Sequence, residues 1–130
     1  MRGLVTNKQL LEMSDSDYMN DDQIAYFKYT LEYQKETILL GIAALKKELP
    51  ATEQGTYDAE NATNLELNKI QLKRMNKEAV LINKINKSLR LIDTGDYGYC
   101  RDTGVKIGIK RLLVRPTSTL CAEAMAAARA

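Results

Sequence analysis

Residues 20–49 read NDDQIAYFKYTLEYQKETILLGIAALKKEL, and this stretch decides the fold. Its apolar residues recur at steps of three, four and seven, which places them on one side of an α-helix for about four heptads. Gln34 is the polar member of the stripe. Asn20 predicts the helix start, with Gln23 completing a capping box, and Pro50 predicts the end. The stripe comprises Ile24, Phe27, Leu31, Ile38, Ile42, Leu45 and Leu49.

A second periodic stretch follows residues 51–57, which contain Gly55 and predict a turn. Gly95 suits the residue after the end of this second helix. The two helices span roughly 29 and 35 residues, or about 40–50 Å each. Because a short turn joins them, we predict a long antiparallel coiled-coil hairpin over residues 20–94, with its tip at about 50–60. The second stripe comprises Leu65, Leu72, Met75, Ala79, Ile82, Ile85, Leu89 and Ile92.

The remaining residues predict a small globular domain. Residues 1–19, with a short helix at 6–13, form part of it. Residues 95–130 begin with a turn-rich segment, and the alternation over 105–109 predicts a strand of a short β-hairpin. An Ala-rich helix is predicted at about 119–128. The expected fold is mainly α: a coiled-coil hairpin, a small knob with a short β-hairpin, and a C-terminal helix.

The composition excludes several kinds of chemistry. There is no His, which removes the commonest metal ligand and the usual general base. Two Cys are too few for a four-cysteine zinc site or a disulfide framework. A net charge of +2 makes no global case for nucleic-acid binding. The apolar run at 38–45 is too short to span a membrane, so we expect a cytoplasmic protein without membrane association.

Several short motifs occur before the first long helix and after the second. They are YMN at 18–20, YGYC at 97–100, TG at 103–104, IGIKRL at 107–112, RPT at 115–117 and LC at 120–121. In these motifs the chain resembles the DksA/TraR family of transcription regulators. The resemblance implies a non-enzymatic, monomeric regulator that inserts its coiled coil into the secondary channel of RNA polymerase and alters promoter-complex stability. It further implies cooperation with guanosine tetraphosphate (ppGpp) in the stringent response, without sequence-specific DNA binding.

The zinc positions of the family are altered here. Zinc-type members carry C-x₂-C-x₁₇-C-x₂-C, whereas this chain has Cys100, Thr103, Cys121 and Ala124. Alanine has no donor atom and a threonine hydroxyl is a poor substitute for a thiolate. The chain therefore resembles the zinc-independent branch, and we expect no metal or other resident cofactor. The two cysteines are either small apolar residues of a former knuckle or a redox-sensing thiol pair. Packing would replace the metal, through Tyr97, Tyr99, Val105, Ile107, Ile109 and Leu112.

The coiled-coil tip of the family carries two acids in a D-x-x-D-x-A pattern. Residues 57–62 read YDAENA here, so Ala62 matches and the acid spacing differs. The resemblance assigns the tip to Asp58 with Glu60, or to Asp58 with Asn61, acting electrostatically near the polymerase active centre. Alternatively, Asp58 and Glu60 only cap the second helix.

Basic residues dominate residues 66–90. Lys77 matches a family position at the channel rim, and we predict that Lys73 and Arg111 also bind polymerase. A one-sided charge would suit an acidic channel lining. Alternatively, the charges form an ordinary solvated helix face. The basic residues are Lys69, Lys73, Arg74, Lys77, Lys84, Lys87 and Arg90.

Lys84 and Arg115 match two family positions that hold ppGpp between regulator and polymerase. Basic side chains suit pyrophosphate by charge and, for Arg, by bidentate geometry. A third family position, normally Lys, is Met125 here, which predicts a modest nucleotide effect. Alternatively, Arg115 braces the turn at Pro116.

Two other functions remain open from the sequence. A transcript-cleavage factor would share the insertion into polymerase and use tip acids to hold a magnesium ion and a water. The motif at 97–117 disfavours it, since cleavage factors carry a β-rich domain there. The other is a coiled-coil adaptor or thiol-based redox sensor unrelated to polymerase.

Overall fold

A computed structural model describes residues 4–48 and 59–129 of the chain, and side chains in the second range from residue 65. The described residues divide between two compact units, formed by residues 1–33 with 84–130 and by residues 34–83. We call them the globular unit and the rod unit. No helix in the described ranges is both long and apolar enough to cross a membrane. The helices are α1 (Asn7–Glu12), α2 (Asp21–Glu48), α3 (Ala59–Thr94), α4 (Ile109–Val114) and α5 (Ala122–Arg129), and a 3₁₀ turn covers Asp15–Asp17.

The mainly α fold is confirmed, and α2 and α3 form the predicted helical hairpin. The predicted turn at 51–57 lies outside the described residues. The start of α2 follows the expected capping, because the Asn20 side chain accepts from the Gln23 N–H at 2.9 Å. The reciprocal bond is displaced by one residue, since the Gln23 side chain accepts from the Met19 N–H at 2.7 Å.

The core of the globular unit joins sequence-distant segments. Leu10 comes from α1, Phe27 and Leu31 from α2, Ile85 from α3 and Leu112 from α4, and each is at most 2% exposed. Thr6 caps α1 in a complete capping box, which confirms the short N-terminal helix. Both ends of the chain therefore contribute to the core that surrounds the base of the hairpin.

The rod unit corrects the predicted stripe of the second helix. The predicted stripe places Leu65 and Leu72 on the inward side, yet they are 50% and 49% exposed. The less exposed side chains of this part of α3 are Asn68, Gln71, Met75, Glu78 and Ile82. These residues are spaced by three and four and lead to the buried Ile85. The burial of Ile85 therefore determines which side of α3 faces inward.

The predicted strand over residues 105–109 does not form. The short β-hairpin is reduced to one antiparallel bridge between Tyr99 and Lys106. Gly108 adopts a φ of 105°, and α4 begins at the next residue, Ile109. The C-terminal helix begins at Ala122 rather than 119, because the Thr119 carbonyl accepts from the Arg101 N–H at 2.7 Å.

Candidate functional site

The knob, residues 95–121, is anchored to the end of α3. Gly95 takes a φ of 83°, which L-residues with a side chain rarely adopt. The carbonyl of Leu91 then accepts from the N–H groups of Asp96 and Tyr97, at 2.9 and 3.1 Å. The chain thereby turns back at once, which brings Tyr97 into the core.

Tyr97 is the largest fully buried side chain of the knob. Its hydroxyl donates to the Pro116 carbonyl at 2.7 Å, and its ring lies 5.7 Å from the Phe27 ring, measured between centroids. Burial raises the pKa of Tyr97 well above its usual value, so the phenol stays protonated and available as a donor. Tyr97 therefore joins the knob to α2 and to the turn before α5.

Tyr18 holds the knob from the other side. Its hydroxyl donates to the Gly98 carbonyl at 2.5 Å and accepts from the Gly108 N–H at 3.0 Å. Its ring meets the Tyr99 ring edge-on with a centroid distance of 5.6 Å. The Lys106 ammonium lies 5.3 Å from the Tyr18 ring centroid. The Tyr18 hydroxyl thus connects the N-terminal segment to both chain segments that form the Tyr99–Lys106 bridge. The motif match alone does not reveal this role.

The former zinc positions lie together in the knob. The Thr103 hydroxyl oxygen is 3.9 Å from the Cys121 sulfur. That sulfur also accepts from the Ala124 N–H at 3.4 Å. Because α5 begins at Ala122, the Cys121 thiol occupies the capping position of this helix. Cys121 therefore has a structural task that needs no metal.

Hydrogen bonds lower the pKa of Cys100. The Thr103 hydroxyl contributes most and the Cys121 N–H next. With the N–H groups of Thr103 and Asp102, and against the opposing effect of burial, they lower the pKa of Cys100 to about 6. Because a threonine hydroxyl has one hydrogen, Thr103 can donate to the sulfur of Cys100 or to that of Cys121, but only to one of them at a time. The Cys100 residue is only 3% exposed, so the thiolate that these bonds favour has little access to solvent.

The residues at the former zinc positions do not fit a four-thiolate zinc site. The Ala124 side chain has no atom that can ligate a metal, and its backbone N–H donates to the Cys121 sulfur. Within the described ranges, no cluster of three or more His, Cys, Asp or Glu side chains could hold a metal ion. Two thiolates leave a tetrahedral zinc ion without two of its ligands.

The candidate nucleotide residues Lys84 and Arg115 both belong to the globular unit and are exposed. The Arg115 backbone participates in the turn at Pro116, donating to the Arg111 carbonyl at 2.9 Å and accepting from the Ser118 N–H at 3.0 Å. Only backbone atoms of Arg115 take part in these bonds. Met125, at the third family position, is partly exposed on α5.

The three candidate polymerase-binding residues differ in their surroundings. Lys73 and Lys77 are exposed in the rod unit and lie one helical turn apart, so they share a face of α3. Arg111 is half-buried, and its Nε donates to the Leu120 carbonyl at 3.0 Å. This bond ties α4 to the segment before α5, which gives Arg111 a bracing role.

The tip residues are only partly within the described chain. Asp58 lies outside it. Glu60, Asn61 and Ala62 lie in the first turn of α3, and their side chains are outside the described set. Their assignment remains a prediction.

The sequence reasoning missed a groove beside the knob. It has a volume of about 970 Å³ and lies between the last turns of α3 and residues 99–104. Lys87, Arg90, Tyr99 and Arg101 are among its lining residues. The signal available in the sequence is the basic pair at 87 and 90, which the charge pattern alone does not distinguish from the rest of the basic helix.

Three comparisons place this structure among known proteins. The family described as "Prokaryotic dksA/traR C4-type zinc finger" matches residues 95–126. "RNA polymerase-binding transcription factor DksA" of Caulobacter vibrioides is 37% identical over 125 residues, covering 93% of this chain and 86% of the relative. The protein with the same description in Escherichia coli K12 is 32% identical over 120 residues, covering 86% and 75%.

A solved structure matches over nearly its full length. The structure of transcription factor DksA2 from Pseudomonas aeruginosa superposes with a TM-score of 0.87, at 34% sequence identity and 95% coverage of both chains. The resemblance identified from residues 18–20 and 97–121 therefore extends over 95% of the chain.

Proposed function

Because this chain belongs to the DksA/TraR family, we propose that it binds RNA polymerase and regulates transcription by inserting its helical hairpin into the secondary channel. The observation that carries the proposal is the 37% identity to an RNA polymerase-binding transcription factor across 86% of that relative's length. The relatives are named as transcription factors, which is consistent with a regulator without catalytic activity. A polymerase-binding role also implies a cytoplasmic location.

The rod unit supplies the surface for this interaction. Lys73 and Lys77 present two positive charges on one face of α3. Charged groups at an interface steer association and fix orientation more than they add affinity. Exposed leucines and isoleucine beside them would add apolar contact area on binding. These are Leu65, Leu67, Ile70 and Leu72. We propose that Lys77 contacts the channel rim and that Lys73 supports the same contact.

Arg111 has a different role in this proposal. Its hydrogen bond to the Leu120 carbonyl supports bracing of the knob, which positions the surface that meets polymerase. A side chain that already has an internal partner loses that bond if it turns outward. We therefore propose that Arg111 acts on polymerase binding through the conformation of α4.

We further propose that ppGpp binds between polymerase and the exposed side chains of Lys84 and Arg115. Their exposure within one compact unit supports this assignment. Met125 supplies no positive charge at the third family position, so the nucleotide should tighten the complex only modestly. The tip acids Asp58 and Glu60, or Asp58 with Asn61, would then act on promoter-complex lifetime.

The zinc-independent character is also a proposal. The knob has Thr103 and Ala124 where thiolates would be required. It also has a substitute for the metal, in the hydrogen bonds that Tyr18 and Tyr97 form with backbone groups. Such bonds can fix several loops in place without a metal, at about 1 kcal/mol each.

The test is polymerase affinity for wild type, Lys77→Ala and Arg115→Ala, each with and without ppGpp. Loss of Lys77 should weaken binding about tenfold under both conditions. Loss of Arg115 should leave basal binding nearly intact and remove only the nucleotide-dependent gain, because linkage makes that gain equal to the preference of the nucleotide for the complex. Lys8→Ala, on the exposed side of α1, is the control for charge removal.

Two results would contradict the proposal. Absence of measurable polymerase binding by the wild type would remove the regulator function itself. If Lys77→Ala and Arg115→Ala lost affinity equally, with and without the nucleotide, the proposed ppGpp site would be wrong. The proposal that the wild type binds polymerase would still stand.

A further inference from the structure

The groove beside the knob lies entirely within the globular unit. The last turns of α3 form one wall, with Lys87 and Arg90, and the knob residues Tyr99 and Arg101 form the other. Its volume of about 970 Å³ is at the upper end of the range for sites that bind small molecules. Neither Lys84 nor Arg115 is among its lining residues, so the groove is formed by other residues than those assigned to the nucleotide above.

The charged side chains of the groove are mostly positive. Three cations, Lys87, Arg90 and Arg101, line it together with one carboxylate, Asp96, and with the Cys100 thiol, whose pKa is lowered. That carboxylate already accepts from the Thr94 hydroxyl at 3.0 Å. Within the described ranges, neither Lys87 nor Arg90 forms an ion pair. The two lie three residues apart on α3, where like charges repel each other. A bound anion would relieve this repulsion.

Arg101 is also free to reorient toward a ligand. Its Nε lies 3.6 Å from the Asp102 carboxylate, and both side chains are more than half exposed. Ion pairs of this kind contribute little, so an anion in the groove can compete for the guanidinium. The backbone of the same residue is fixed, because its N–H donates to the Thr119 carbonyl at 2.7 Å. The guanidinium of Arg101 can therefore reorient toward a ligand while its backbone stays in place.

The groove also offers an apolar surface. Tyr99 is 39% exposed, and Leu91 lines the α3 wall. Gly95 and Gly104 also line the groove, and a Cβ added to either would meet no atom within 4 Å. A flat group can therefore approach the backbone closely at both positions. The combination calls for a ligand with a multiply charged anionic end and a flat, less polar body.

We propose that this groove binds a small phosphorylated molecule of mononucleotide size, with its phosphate among Lys87, Arg90 and Arg101 and its body against Tyr99. Arginine pairs favour phosphate because two N–H groups can bind two oxygens at once. The groove is complete in the isolated protein, so binding requires no polymerase.

The test is an amide NMR titration of the isolated protein with inorganic pyrophosphate, AMP and adenosine at constant ionic strength. Pyrophosphate and AMP should cause saturable shifts of the Gly95 and Gly104 amides, with AMP binding more tightly. A dissociation constant of about 0.1–1 mM is expected for AMP. Pyrophosphate binding as tightly as AMP would remove the role of Tyr99, and adenosine binding as tightly as AMP would remove the phosphate site. Absence of saturation by about 5 mM for both anions would overturn the proposal.

Variants separate the groove from general charge effects. Arg90→Ala and Arg101→Ala should each weaken AMP binding about tenfold. Lys69→Ala, which changes an exposed lysine elsewhere on α3, should leave binding unchanged. Equal weakening by Lys69→Ala, or wild-type binding by both groove variants, would refute the assignment. Neither result would bear on polymerase binding.

Discussion

Replacing Tyr18 by Phe removes one hydroxyl and keeps the ring contacts with Tyr99 and Lys106. The variant loses the bond to the Gly98 carbonyl and the bond from the Gly108 N–H. Each such bond contributes about 1 kcal/mol net, so we expect a loss of about 2 kcal/mol in the free energy of unfolding. The Gly98 carbonyl keeps the bond that it accepts from the Ile107 N–H at 2.8 Å, whereas the Gly108 N–H loses its acceptor in a partly buried place. For a chain of this size, the melting temperature should fall by roughly 5–10 °C.

Urea unfolding and hydrogen exchange would measure this effect. The amide of Gly108 should exchange faster in Tyr18→Phe than in the wild type, because its acceptor has been removed. Tyr33→Phe is the matched control, since Tyr33 is 61% exposed on α2 and its hydroxyl should contribute little. If Tyr18→Phe unfolds like the control and its Gly108 amide keeps wild-type protection, the phenol does not hold the knob.

Three further predictions concern the metal, the thiol and the tip. The purified protein should contain no stoichiometric zinc and should keep its helicity in excess chelator; one equivalent by elemental analysis, with melting on chelation, would overturn this. The Cys100 thiolate should stabilise the fold fully above the ordinary thiol pKa of 9.0, and this contribution should be lost as the pH falls through about 6. The urea midpoint of the wild type, relative to Cys100→Ser, should therefore rise from pH 6 to pH 9, and a flat difference would contradict the lowered pKa of Cys100. Changing Asp58→Asn and Glu60→Ala together should abolish the effect on promoter-complex lifetime with polymerase affinity within a few-fold; a normal effect would show that the tip residues are wrongly assigned.

The first long helix was predictable from the sequence because its pattern and its caps agree. Phe27 and Leu31 are fully buried as expected, and Asn20 caps the helix start. The observed helix starts at Asp21, as predicted, and the predicted end at Pro50 lies outside the described residues. Local signals were sufficient here, since a strong apolar stripe and an N-cap specify the same helix.

The inward side of the second long helix was not predictable in the same way. The sequence offers two stripes that share Met75 and Ile82 and differ in whether Leu72 or Gln71 faces inward. Hydrophobicity alone favours the leucine. The structure favours the glutamine, because the buried Ile85 fixes the rotation of α3 at the globular end. When tertiary packing at one end of a helix decides which side faces inward, the residues at the other end carry no local signal of it.

The loss of the metal ligands was predictable from the residue types. The hydrogen bonds that hold the knob without a metal were not. Thr103 and Ala124 show directly that two thiolates are missing. Nothing local in the sequence shows that Tyr18 reaches Gly98 and Gly108, which are 80 and 90 residues away along the chain. The groove was missed for the same reason, since Arg90 and Arg101 meet there only through the fold.

The distance that Tyr18 bridges has a consequence for the order of folding. A zinc ion can close a knuckle between positions 100 and 124 as soon as that short segment exists, without the rest of the chain. Here the hydroxyl of Tyr18 must meet partners 80 and 90 residues later, and closing so much longer a loop costs about 1 kcal/mol more. That cost falls if the two long helices pair first and carry the segments together. We therefore expect the knob to assemble late and only on a formed hairpin, and the isolated fragment 95–130 to remain unfolded with or without zinc.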